Sequence, residues 1–281
     1  MPKIENILRN LARRNERDMQ VAIQEWMDLT QKQIKQDLIS KYEKSVTSKL
    51  TDWKRIESQG VTIIKPAAIK IMQIGGNAAY RHLAIEGSFD ILNVSAIKAV
   101  NKFCSKLVTE VTNNTKKGIN TYVKHGIKEG YSMSKIAKDL RPLVGLTQKQ
   151  TQAVINYRKT LAVTKPHWNT VQVDKAVMRY MNKTHRRRMQ TIARTETARA
   201  QNIGYVQGLE EVGIKEVEFS VAADCCVSQC LPLDGKKYKV DEASGIIPVH
   251  PNCRCAMLPV INDRVISERL TKPHPRLKVG V

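Results

Sequence analysis

Five of the chain's six cysteines and one of its six histidines lie between positions 225 and 255. They form two clusters. The first is Asp224-Cys225-Cys226-Val227-Ser228-Gln229-Cys230-Leu231-Pro232-Leu233-Asp234-Gly235, and the second is His250-Pro251-Asn252-Cys253-Arg254-Cys255. Soft thiolates and an imidazole, supplied two by two from loop-rich segments, suit a structural zinc site. Such a metal can replace a hydrophobic core too small to fold unaided. The favoured ligands are Cys226, Cys230, His250 and Cys253, with Cys225 and Cys255 as alternates. The spacing is not that of a zinc ribbon, because three residues separate Cys226 from Cys230. A set of buried thiols, or a disulfide across two loops, are the competing readings. Catalytic zinc has less support. A zinc deaminase needs Glu two residues after its ligand histidine, and Asn252 stands there. No His-Glu-x-x-His occurs, and nothing surrounds the His-Cys pair that would make a nucleophile. No residue is assigned a catalytic role.

Phosphate chemistry is the second possibility. The chain holds 47 Lys and Arg against 26 Asp and Glu, a net charge of +21. So basic a balance calls for a polyanionic neighbour, most simply nucleic acid, with acidic lipid second. Lys183, Arg186, Arg187 and Arg188 form its densest cluster and are the candidate phosphate contacts. A solvated basic face explains that cluster equally well. The segment from Gly130 to Leu140 resembles the first helix of a helix-turn-helix, with Gln148, Lys149 and Gln150 opening a second. Such helix pairs are also ordinary packing units. In Ile192-Ala193-Arg194-Thr195-Glu196-Thr197-Ala198-Arg199-Ala200, Glu196 and Arg199 sit one helical turn apart. Arg194 and Glu196 would lock this helix onto the cysteine module; a solvent-facing helix is the plainer alternative.

Long helices must carry these groups. At 281 residues the chain suffices for one large or two modest domains. Hydrophobic residues make up 42% and aromatic ones 5%, which favours aliphatic helix packing over a sandwich. Residues 1–58 read as one helix or two, with Ile4, Leu8 and Leu11, then Tyr42, Val46, Leu50 and Trp53, at helical spacing. Gly60 and Pro66 bracket an expected break, with residues 61–64 extended. A helix resumes at Pro66, interrupted or loosened at Gly75-Gly76. Residues 95–130 form the cleanest amphipathic helix, and its lone Cys104 belongs to the apolar stripe. Helices over 134–140 and 148–161 follow, the latter capped by Thr147 with Gln150, then a long one over 171–211. Residues 216–221 alternate as a strand does. No apolar run approaches the roughly 20 residues of a membrane span, and the first residues lack a signal-peptide core. Synthesis in a reducing cytoplasm favours metal over disulfide.

Two stretches together resemble the Mu F-like phage head morphogenesis family, the minor head or minor capsid proteins. One is Ile192-Ala193-Arg194-Thr195-Glu196 with Ala200 and Asn202. The other runs from Asp224 through Cys230-Leu231-Pro232-Leu233-Asp234-Gly235-Lys236 to Pro248, the His250–Cys255 string and Pro259. Arg194, Thr195, Glu196, Asp234, Gly235 and Arg254 are then structural motif positions. Many members carry Cys-x-x-Cys before Leu-Asp-Gly. Here Val227 holds the first of those places, which leaves Cys225 and Cys226 as rivals.

The residue patterns read as a mainly α protein with a small C-terminal α+β module. A helical region would span 1–120 and a flexible basic tail 263–281, and the resemblance covers the family domain between them, 121–262, with its Cys/His module at 216–262. The resemblance implies a minor virion component inside the capsid near the portal vertex, present in the host cytoplasm during assembly. Portal protein, major capsid or scaffold protein and packaged double-stranded DNA would be the partners, with a role in DNA packaging or ejection. A disulfide in the finished particle stays open. The rivals are a zinc-containing nucleic-acid-binding regulator and, behind it, a Cys/His metal-dependent hydrolase.

Overall fold

The computed structural model describes residues 4–40, 51–222 and 225–261. Residues Tyr42, Val46, Leu50 and Asp224 and the expected 263–281 tail lie outside them. The chain is mainly helical, with a small antiparallel sheet near its C-terminal end. The helices are α1 (Ile4–Ser40), α2 (Trp53–His82), α3 (Val94–Lys128), α4 (Met133–Leu140), α5 (Gln148–Thr164), α6 (Thr170–Glu211) and the short α7 (Val240–Ala243). The strands are β1 (Glu216–Ser220), β2 (Lys237–Lys239) and β3 (Ala256–Pro259).

The expected break at residues 60–66 does not occur. Residues 61–64 are helical, and Pro66 lies inside α2. Apolar periodicity overrides the proline: Ile56, Gly60, Ile64, Ala68, Ile71 and Met72 fall on one buried stripe. A helix-interior proline costs about 3 kcal/mol. Full burial of Ile64, Ile71 and Met72 contributes about 1.5–3 kcal/mol each, so burial wins. The Trp26 indole N–H adds a bond to the Ile56 carbonyl, 3.0 Å away. Gly75-Gly76 do not interrupt the helix either.

Two compact units divide the contacts, and neither follows chain order. One draws on residues 16–68 and 100–196. Its core includes Met19, Ile23, Trp26 and Met27 of α1 and Phe103, Leu107 and Val111 of α3. Cys104 is fully buried there, and burial pushes its thiol up to about 11, partly countered by Lys65. The Thr147–Gln150 capping box forms as expected, each side chain accepting the other's backbone N–H. The Tyr122 hydroxyl donates to Asp139, 2.6 Å away and buried.

The other unit draws on the described residues of 1–15, 69–99 and 197–281. In it α2 and α6 touch backbone to backbone. A methyl group on Gly75 would collide with the Gln201 carbonyl, and one on Gly204 with the Met72 carbonyl. Glycine is thus used for approach, not for breaking. α6 ends in a Schellman motif at Gly213, whose φ is +87°. Ile214 N–H bonds Leu209 and Gly213 N–H bonds Glu210. β1 then runs up the middle of the sheet in the order β2-β1-β3, antiparallel to both neighbours. Val217 and Phe219 are fully buried beneath it. Glu216 lies opposite Lys239 and Glu218 opposite Lys237, a register that matches charge across the strands.

Candidate metal centre

The Leu-Asp-Gly turn explains how the first cysteine cluster is held. Gly235 has φ +72°, a conformation glycine adopts freely, and its N–H bonds the Phe219 carbonyl at 2.9 Å. Asp234 Oδ1 accepts the Val221 N–H at 3.1 Å. The loop between is thereby pinned to the end of β1. Within it, Cys230 N–H bonds the Cys226 carbonyl, and Cys230 is fully buried. The second cluster enters through a turn in which Cys253 N–H bonds the His250 carbonyl at 3.1 Å. Asn252 at its corner has φ +63°, which asparagine tolerates better than most residues. β3 begins directly after Cys255, which fixes the far end of this cluster to the sheet.

These devices bring Cys230, Cys253 and Cys255 together, their sulfurs all within 4.8 Å of one another. Cys230 and Cys253 sulfurs are 3.9 Å apart. That is far beyond a disulfide bond of about 2.05 Å, and all six cysteines are free. It does match the edge of a tetrahedron with zinc–sulfur bonds of about 2.3 Å, roughly 3.8 Å. His250 Nε2 lies 3.1 Å from Cys230 Sγ, while its Nδ1 donates to the Pro251 carbonyl at 2.8 Å. A backbone acceptor on Nδ1 leaves Nε2 as the lone-pair nitrogen, the arrangement common in metal-bound histidine. The residues present therefore fit a metal ion. Cys225 and Cys226 are outside the close set; both are half-buried, and Cys226 Sγ faces Ser228 Oγ at 3.4 Å.

The electrostatics agree. Cys253 accepts a hydrogen bond from Cys255 and backbone N–H groups of Cys255 and Val249, and its thiol falls to about 5 despite burial. Cys255, which donates that bond and is buried, moves up. Cys230 also moves up, chiefly by burial and then by the neighbouring Cys253 charge. A cation among the three sulfurs would favour their ionised forms.

One residue of this site escaped sequence reasoning. Arg9 of α1 donates from Nε to the Arg254 carbonyl at 3.2 Å and from Nη2 to the Val221 carbonyl at 3.0 Å. It clasps the peptide between Cys253 and Cys255 together with the exit of β1. No local pattern marks a residue 245 positions away in sequence.

The basic and motif residues fall elsewhere. Lys183, Arg186 and Arg187 are exposed on α6. Arg188 turns inward, half-buried, with Nε toward the Gly145 carbonyl at 3.4 Å. Burial lowers its guanidinium below the usual range, against the pull of Glu196 and Glu110. Arg194 donates to both carboxylate oxygens of Glu16, at 3.1 and 3.3 Å, so its ion pair fastens α6 to α1. Thr195 donates to the Thr191 carbonyl within its own helix, and Glu196 is buried. Gln150 is committed to the capping box, which leaves Gln148 and Lys149 exposed at the start of α5.

A family model described as Phage Mu protein F like protein matches residues 117–258, half of the chain. The chain belongs to this family. The matched segment of this Mu F-like protein runs from within α3 into β3, and it takes in the Arg194-Thr195-Glu196 string and every cysteine of the candidate centre. Arg9 lies outside it. The family is one of phage head morphogenesis proteins, structural in type. No curated protein and no solved structure matches the chain closely enough to add to this. No helix among the described residues is long and apolar enough to cross a membrane.

Proposed function

We propose that this chain is a minor head protein of a tailed bacteriophage, a virion component placed inside the capsid near the portal. It assists head assembly and DNA packaging or delivery. The family match over residues 117–258 carries this reading. The net charge of +21 supports contact with packaged double-stranded DNA, made through phosphate and without sequence preference. Residues 1–120 form the docking region for portal protein, with major capsid or scaffold protein as further partners. The chain performs no catalysis in this reading; its work is placement.

Cys230, Cys253 and Cys255 would hold a structural zinc ion in the C-terminal module, with His250, whose Nε2 lies 3.1 Å from Cys230 Sγ, as the fourth ligand. Such an ion would cross-link the two loops and neutralise the thiolates. The residues themselves do the rest. Asp234 and Gly235 anchor the first loop to β1, Asn252 turns the second, and Arg9 ties the second loop to the strand's exit.

Quantitative mass spectrometry of purified particles and proheads tests the assignment. A few to tens of copies per portal ring supports the minor-head role. Absence from both particles and proheads overturns it and favours a cytoplasmic nucleic-acid-binding regulator.

A further inference from the structure

From Arg141 to Arg194 the chain contains twelve Lys and Arg but a single acid, Asp174. That acid is already engaged by Arg158 and Lys135. On α6 the cations are ordered. Gln172, Lys175, Arg179, Asn182, Lys183, Arg186, Arg187 and Gln190 are all exposed. At 3.6 residues per turn they share one face of the helix, and from Lys175 to Arg187 the face is about 18 Å long. It carries only cations and amides.

A solvated helix face ordinarily sets an acid four residues from each base, because such pairs stabilise the helix. α6 does the reverse. Lys175, Arg179, Lys183 and Arg187 follow one another at four-residue spacing, so each neighbouring pair repels. None of the five cations on this face makes an ion pair with another described residue. The arrangement costs the free protein something and is relieved by a polyanion of matching length.

The face also indicates which polyanion. Single strands are gripped by aromatic side chains on which bases stack. The eight positions of this face include no aromatic residue. A straight row of flexible cations suits a regular double row of phosphates, and the interspersed amides can donate to phosphate oxygens without reading bases.

We infer that the α6 face from Lys175 to Arg187 is the surface on which this protein holds duplex nucleic acid, by phosphate contact alone. This deepens the DNA contact proposed above and rests on it. It extends the contact two turns toward the start of α6, and it excludes Arg188, which is turned to the Gly145 carbonyl.

The test uses the full-length chain and fluorescence anisotropy with a 30-base-pair duplex, its scrambled-sequence version and a 30-nucleotide single strand, over a salt series. In one variant Lys175, Arg179, Lys183, Arg186 and Arg187 become Gln. In a control variant five exposed lysines of α3 (Lys98, Lys102, Lys117, Lys124 and Lys128) become Gln. Five phosphate contacts predict a slope of log K against log salt near about −4.5. The α6 variant should lose at least about 100-fold in affinity and most of that slope, while the control retains both and the scrambled duplex binds alike. Thermal melting of the free α6 variant should be unchanged or raised, which separates lost binding from lost folding. Equal losses in both variants overturn the inference and leave diffuse DNA contact standing. Tighter binding to the single strand than to the duplex also overturns it. Failure of the unaltered chain to bind any duplex removes the DNA contact itself.

Discussion

Arg9 and Arg254 are joined by a hydrogen bond from the Arg9 guanidinium to the Arg254 carbonyl, 3.2 Å long, across 245 positions of sequence. The same guanidinium holds the Val221 carbonyl. The first turns of α1 are therefore part of the cysteine module's support. Replacing Arg9 by Ala leaves two partly buried carbonyls without this donor. Hydrogen bonds from charged groups contribute about 1.5–3 kcal/mol, and a loss of that order is expected. Hydrogen exchange at the Cys253–Cys255 amides should quicken in step with the drop in melting temperature. Slow, unaltered exchange there would show that the clasp does not support the loop.

The thiol geometry separates two ligand sets. Cys255 lies in the close set and Cys226 outside it. Protein purified with zinc should hold one ion per chain by elemental analysis. Cys230→Ser, Cys253→Ser, Cys255→Ser and His250→Ala should each lower that content and destabilise the module. Cys226→Ser should leave it intact. Metal lost from the Cys226 variant but kept by the Cys255 variant would restore the ligand set favoured by spacing.

Gly204 sets two principles against each other. Alanine is the better helix former by about 1 kcal/mol, so helix propensity alone predicts a gain. Yet a Cβ at Gly204 runs into the Met72 carbonyl, and overpacking against backbone costs about 1–3 kcal/mol. Gly204→Ala is expected to be destabilising, by chemical denaturation, and Gly204→Val more so. A stabilised alanine variant would mean that α2 and α6 can move apart at no cost.

Asp174 offers a pH test. Burial alone would raise its pKa, but the hydrogen bonds from Arg158 and Lys135 hold it below the ordinary value of 3.8. A depressed folded pKa stabilises the folded state above the unfolded value and loses that contribution as pH falls through the folded one. Asp174→Asn should therefore be less stable than the parent at neutral pH, and the gap should close only below pH 3.8. The carboxylate is partly exposed, so solvent screening keeps the gap small. A gap that closes already near pH 6 would assign it to another group.

Much of this protein was legible in its residues. Helical periodicity placed α3 and α6 almost to their ends, because amphipathic stripes such as Val100, Phe103, Leu107 and Val111 depend only on local spacing. Thr147 with Gln150 announced its own cap, and alternation announced β1. The cysteine strings marked both the family and the possible metal. Pro66, Gly75 and Gly76 misled, since their local preferences favour breaks and only a packed partner reverses them. Tertiary structure alone decided that Gly204 meets Met72, that Cys255 joins Cys230 and Cys253, that Arg188 faces inward, and that Arg9 clasps the peptide at Arg254. Each of these is a contact between segments distant in sequence. Spacing along a chain fixes which face a residue occupies, but not what that face will meet.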